Sequence, residues 1–374
     1  MTNKGNICEA NGRFLFLDIM KVIALILMPC IHAFNLIIGF GISGEQFPTE
    51  AVSMQMGFIY LIVPGVFMFC MGAGIVLSRK QTPKALLFRG LKLLLIGFVL
   101  NAVRASIYIW FGLLGEKDLF IEFWYWLWGS DILYFAGLYF LLFSLFRKLK
   151  LNDIAIAVIS IAMLLISHIF MPVPVENETL VEIFGNFVYI DVDSCFPILS
   201  WSIFPTVGYL YMKYLLGSPK KTHYVAGASA VSILILGVTL GALLFTNNMQ
   251  SRYYLWGEEG FMMDVPSAII AISIAVIYAS IIYGVSSLIK NGKVTSVIEK
   301  VSSNVNAIYC IHWVLITYLG FFWIIFSEYQ IEKTIGIYFI GLLIFIVSTF
   351  LALTYKKLKT KSVDKEPLKN NFDN

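Results

Sequence analysis

The chain has 374 residues, 59% of them hydrophobic and only 13% charged, with a mean hydropathy of +0.81. Soluble domains carry about 25% charged residues, so this composition excludes a soluble globular enzyme and indicates an all-α, polytopic membrane protein. The net charge of +4 follows the distribution of loops and does not indicate a nucleic-acid partner.

The first apolar segment, residues 15–38, sits within RFLFLDIMKVIALILMPCIHAFN and carries Asp18, Lys21 and His32. Ionisable groups in hydrocarbon cost about 2.5–3.5 kcal/mol each, so three in one span call for a reason. At about 100° per residue, Asp18 and Lys21 lie about 60° apart, and His32 falls about 20° from Lys21. All three share one stripe, and Asn35 continues it a turn further along. The rise of about 1.5 Å per residue separates Lys21 from His32 by roughly 16 Å, so the stripe marks two depths of one polar passage. The segment is too long and too polar for a signal peptide and is expected to be retained.

Further spans are expected at 57–78, 90–112, 125–146, 152–171, 196–216, 225–246, 266–289, 304–326 and 335–355, about ten in all. The span at 125–146 is interrupted by Gly129, Ser130 and Asp131. Arg79, Lys80, Lys84, Arg89 and Lys92 surround the second connection, with Arg89 and Lys92 as neighbours near a helix start. Asn101 and Arg104 lie late in the third span, where Arg104 either snorkels to the interface or meets a substrate. The aromatic stretch LFIEFWYWLWGSD forms an interfacial belt or a stacking wall for a sugar. Asp131 and Asp264 are either acceptor contacts or helix caps. His312 lies mid-span in IYCIHWVLI beside Tyr309 and Trp313.

Basic residues at positions 4 and 13, 79–92, 147–150, 213–221, 290–300 and beyond 356 fall on one membrane side if both termini are cytoplasmic. The alternate connections carry the acidic residues, from Glu45 to Asp264. The positive-inside rule therefore predicts a multi-pass protein of the cell membrane with both termini inside. Residues 1–12 form a cytoplasmic segment, 13–355 the membrane domain and 356–374 a basic cytoplasmic tail. The five cysteines show no paired spacing, and no metal site is indicated.

Arg13 followed by Asp18-x2-Lys21-x10-His32 resembles the opening of the membrane-bound acyltransferase family 3, in which arginine usually stands where Lys21 does. LIVPGVFMFCMGAGIVLSRK resembles the second-helix pattern of the related heparan-α-glucosaminide N-acetyltransferases. RGLKLLLIGFVLNAVR, FPILSWSIFPTVGYLYMKYL and VNAIYCIHWVLI also resemble segments of this superfamily. In the second helix, Met71-Gly72-Ala73 stands where the acyltransferase-3 pattern has Ser-Gly-Phe.

The resemblance implies transfer of an acyl group, acetyl in the first instance, from cytoplasmic acyl-CoA to a hydroxyl or amine of an extracytoplasmic or lipid-linked glycan, as in cell-surface polysaccharide modification. Under this reading His32, with His312 and Asp18, carries the chemistry. Lys21, Arg79, Arg89 and Lys92 hold the anionic acyl-CoA, and Asn35, Arg104, Asp131 and Asp264 meet the acceptor. No metal is required, membrane lipid is the other partner, and a homodimer is compatible with the sequence. The alternative is a proton-coupled transporter or exporter that uses Asp18, Lys21 and His32 as a relay.

Overall fold

The computed structural model describes residues 9–10, 13–39, 49–113, 119–169, 183–188, 194–248, 263–326 and 334–363. Apart from a short antiparallel pair, β1 (Glu9–Ala10) with β2 (Arg13–Phe14), the regular structure among these residues is helical. The helices are α1 (Leu15–Gly39), α2 (Thr49–Leu77), α3 (Pro83–Leu113), α4 (Leu119–Trp128), α5 (Ile132–Lys148) and α6 (Asp153–Ile169). They continue as α7 (Ile198–Trp201), α8 (Ile203–Gly217), α9 (Lys221–Phe245), α10 (Val265–Ser286), α11 (Gly292–Ser302), α12 (Val305–Phe326) and α13 (Thr334–Val363). Among the described residues five helices are long and apolar enough to cross a membrane, in α1, α3, α9, α10 and α13. Shorter apolar stretches occur at Ile62–Leu77, Asp153–Ile169 and Val305–Gly320.

Several boundaries differ from the sequence reading, each for a local reason. The expected span at 125–146 is two helices, because Asp131 is extended (φ −140°, ψ 149°) and its carboxylate accepts from Leu133 N, starting α5 afresh. The span at 196–216 is divided at Ser202, and Pro205 follows in the first turn of α8, where a missing N–H is tolerated. Helix α3 starts at Pro83, not at residue 90. Thr82 Oγ1 accepts from Ala85 N and proline stands at the first helical position. Arg89 and Lys92 therefore lie inside the helix. Residues 292–302, read as part of a connection, form α11, which Asn291 caps through Lys293 N.

The described elements divide into two compact units. The first holds the β pair, α1 up to Ala24 and α2 through α10; the second holds α1 from Leu25 together with α11 to α13. In the first unit α2 and α8 pack with almost no side chain between them. A Cβ on Gly72 would fall on the Pro205 carbonyl oxygen, and one on Gly208 would fall on the Phe69 carbonyl oxygen. Hydrocarbon supplies no hydrophobic drive between helices, so this close backbone approach supplies dispersion contact instead. Buried hydroxyls add polar contacts: Ser160 Oγ on α6 and Tyr139 OH on α5 meet Thr206 Oγ1 on α8 at 2.7 and 3.1 Å.

In the second unit the later part of α1 packs on α13. Cys30 Sγ donates to the Tyr338 carbonyl at 3.7 Å, and Gly341 sits against the Cys30 backbone. Pro29 lies within α1 and removes the hydrogen bond that the Leu25 carbonyl would otherwise accept.

Candidate active site

Two groups of ionisable side chains are attached to α1, one in each unit. The first group starts where β2 hands over to the helix. Arg13 clasps Asp18 with both arms of its guanidinium, Nε to Oδ2 at 3.1 Å and Nη2 to Oδ1 at 3.0 Å. Lys21 Nζ stands 3.5 Å from the same carboxylate, one turn on. Asp18 is 3% exposed, and a carboxylate that deep in an apolar helix is tolerated only when paired. Two cations around one carboxylate leave the group with net positive charge and with Lys21 half-buried. Cys70 on α2 lies within the electrostatic reach of both Lys21 and Asp18.

The second group is made of rings. His32 on α1 stacks against His312 on α12, with ring centroids 5.5 Å apart and planes 15° from parallel. Trp313 lies 3.9 Å from His32, and Tyr309 meets His312 edge-on at 5.2 Å. His312 is fully buried, and its Nδ1–H donates to the Ile308 carbonyl at 3.2 Å. That bond fixes the tautomer: in the neutral ring the lone pair sits on Nε2, the nitrogen able to take a proton. Histidine is the side chain whose unperturbed charge change falls near neutral pH, so two imidazoles in stacking contact are suited to proton transfer.

A third group lies in the first unit, at the end of α3 remote from Pro83. Arg104 Nη1 is 3.7 Å from Asp131 Oδ2 and 3.4 Å from Asn101 Oδ1, and its guanidinium carbon stands 5.1 Å over the Trp126 ring. Asn101 in turn donates to the carbonyls of Gly129 (2.9 Å) and Leu127 (3.4 Å). Arg104 is 6% exposed, so it does not snorkel.

Arg79, Arg89 and Lys92 are exposed, with the Arg89 guanidinium 4.3 Å over Phe140. Asp264 is buried and caps α10 through Ser267 N at 2.8 Å. Asn35 is on α1, but its side chain lies outside the described residues. No cluster of metal-ligating side chains occurs among the described residues. The role of Arg13 as a two-armed partner was not legible from helix spacing. A separation of five residues does not bring side chains together on a helix, and Arg13 reaches Asp18 because it stands before the helix in β2.

Residues 13–256, which include the Asp18 group, His32 and the Arg104 group, match the family model for the catalytic part of heparan-α-glucosaminide N-acetyltransferase. The chain belongs to this family. No curated protein and no solved structure matches it. Membership together with the long apolar helices makes the chain a membrane acyltransferase by class. The match takes in His32 but ends before His312 and Trp313, so the stack joins a family segment to a helix outside it.

Proposed function

We propose that the chain moves an acetyl group from cytoplasmic acetyl-CoA to a hydroxyl or amine of a saccharide, free or lipid-linked, on the other side of the cell membrane. The stacked His32–His312 pair is the observation that best supports this reading. The acceptor O–H or N–H gives its proton to His32 as its oxygen or nitrogen attacks the thioester carbonyl. The C–S bond then breaks, and the departing thiolate takes the proton to leave as free coenzyme A. His312, its tautomer set by Ile308, holds or relays that proton beside His32.

The donor's phosphates are anionic, and the net positive Arg13–Asp18–Lys21 group with exposed Arg79, Arg89 and Lys92 supplies cations for them. Their placement toward the cytoplasm follows from the positive-inside rule, which also puts both termini inside.

The test is reconstitution. Purified protein in sealed vesicles, given labelled acetyl-CoA and glucosamine-type acceptors, should yield labelled saccharide at a rate that depends on both substrates. Release of coenzyme A with no labelled saccharide across a panel of amino and neutral sugars would overturn the proposal.

A further inference from the structure

The corner between α4 and α5 contains two hydroxyls that the fold leaves unused. Ser130 Oγ and Tyr134 OH are both buried and make no hydrogen bond to a described residue. They flank Asp131, whose one oxygen caps α5 while the other faces Arg104. The Tyr134 phenol comes close to the Asn101 amide and the Asp131 carboxylate without reaching hydrogen-bond geometry. A buried polar group with nothing to bond costs on the order of 1–3 kcal/mol, so two of them four residues apart call for a reason. Packing alone does not explain them: phenylalanine and alanine would fill the same space without that loss.

We propose that this corner binds a neutral saccharide, with Ser130 Oγ and Tyr134 OH completing their hydrogen bonds on its ring hydroxyls. The charge balance selects the class. Arg104 would welcome an anion, but the Asp131 carboxylate 3.7 Å away opposes it, and a cation meets the reverse problem. A ring of hydroxyls, each able both to donate and to accept, fits a site built from a guanidinium, a carboxylate, an amide and two hydroxyls. Along α3 the site is about 22 Å from Arg89, fifteen residues at about 1.5 Å each, so it lies near the membrane face opposite the basic connection. The inference rests on the proposed reaction only for the choice of saccharide as the ligand class.

The experiment separates a ligand site from a structural clasp. Tyr134→Phe and Ser130→Ala remove hydroxyls that support no bond in the fold, so the detergent-solubilised variants should melt at or above the wild-type temperature. Titration of wild-type protein with glucose and methyl glucoside, in the absence of any acyl donor, should raise its melting temperature. Each variant should need about three- to tenfold more sugar for the same rise, and the double variant more still. Glycerol at equal concentration, which lacks the ring, should not substitute.

Variants that melt lower, that respond to sugar as wild type does, or a wild-type protein that no sugar stabilises would each overturn the site. Acyl transfer that persists with unchanged acceptor KM in Tyr134→Phe would overturn the site while leaving the proposed reaction standing. Loss of all transfer in wild type would do the opposite.

Discussion

The Asp18 group and the His32 group hang from the same helix and are built on opposite principles. Around Asp18 the charges are permanent and locked: a two-armed arginine and a lysine hold one buried carboxylate. Around His32 the groups are aromatic rings, two of them imidazoles, the side chain most used to take and give protons. Both oxygens of the Asp18 carboxylate are engaged by cations. The tautomer set at His312 instead makes Nε2 the nitrogen able to take a proton. The first arrangement can hold an anion and set a backbone. The second can move a proton.

The largest effect is expected on the ring side. His32→Ala should lower acyl transfer by about 10²–10⁴-fold, the usual cost of losing a general base, while the protein remains monodisperse and binds acetyl-CoA normally. Well-folded His32→Ala protein that transfers at a near wild-type rate would remove the distinction between the two groups.

His312 allows a finer cut. Its Nδ1–H donates to Ile308, so asparagine, whose amide nitrogen stands near that position, should keep the hydrogen bond and the fold but supply no base. Glutamine places its amide nearer Nε2 and should lose the Ile308 bond. If His312 relays the proton, both variants should be slow, by about tenfold or more in kcat, with KM little changed. If the ring is only a packing element, His312→Asn should retain activity and His312→Gln should lose stability.

What the sequence disclosed follows the range of each interaction. Apolar spans and the Asp18–Lys21 pair were readable, because helix period and hydrocarbon cost act along the chain. The corner at Gly129–Asp131 was visible as an interruption, yet its meaning was not. Whether Asp131 caps α5 or meets a ligand depends on Arg104 and Asn101, about thirty residues earlier on another helix. The close packing of α2 on α8 was hidden for the same reason. Gly72 and Gly208 are ordinary small residues until each meets the other helix's backbone. The pairing of His32 with His312, 280 positions apart, had no signature in spacing at all.

On the charged side the expected loss is of stability first. Asp18→Asn would leave Arg13 and Lys21 facing a neutral amide in an apolar surrounding. Breaking a buried pair from one side costs on the order of 3–5 kcal/mol. The variant should melt several degrees lower in detergent, with activity per folded molecule reduced far less than in His32→Ala. Equal loss of activity without loss of stability would assign Asp18 to the chemistry and erase the contrast between the groups.

The smallest effects separate charge from geometry among the cations. Lys21 makes a single 3.5 Å contact and is half-buried, so Lys21→Arg keeps the charge and should change donor KM and kcat by less than about threefold. Arg89 stands exposed over Phe140, where its role is either to meet a phosphate or simply to mark the basic side of the membrane. A phosphate contact remote from the reacting carbon is felt equally in ground and transition states, so its loss raises KM and leaves kcat alone. Arg89→Ala should therefore raise the KM for acetyl-CoA a few-fold, and the penalty should shrink as salt is raised, since exposed charge pairs are screened within about 8–10 Å. The paired measurement is acetyl-CoA titration at low and high ionic strength for wild type, Arg89→Ala and Lys21→Arg. A KM for Arg89→Ala equal to wild type at low salt would return Arg89 to membrane topology alone and leave Lys21 as the cation to test for donor binding.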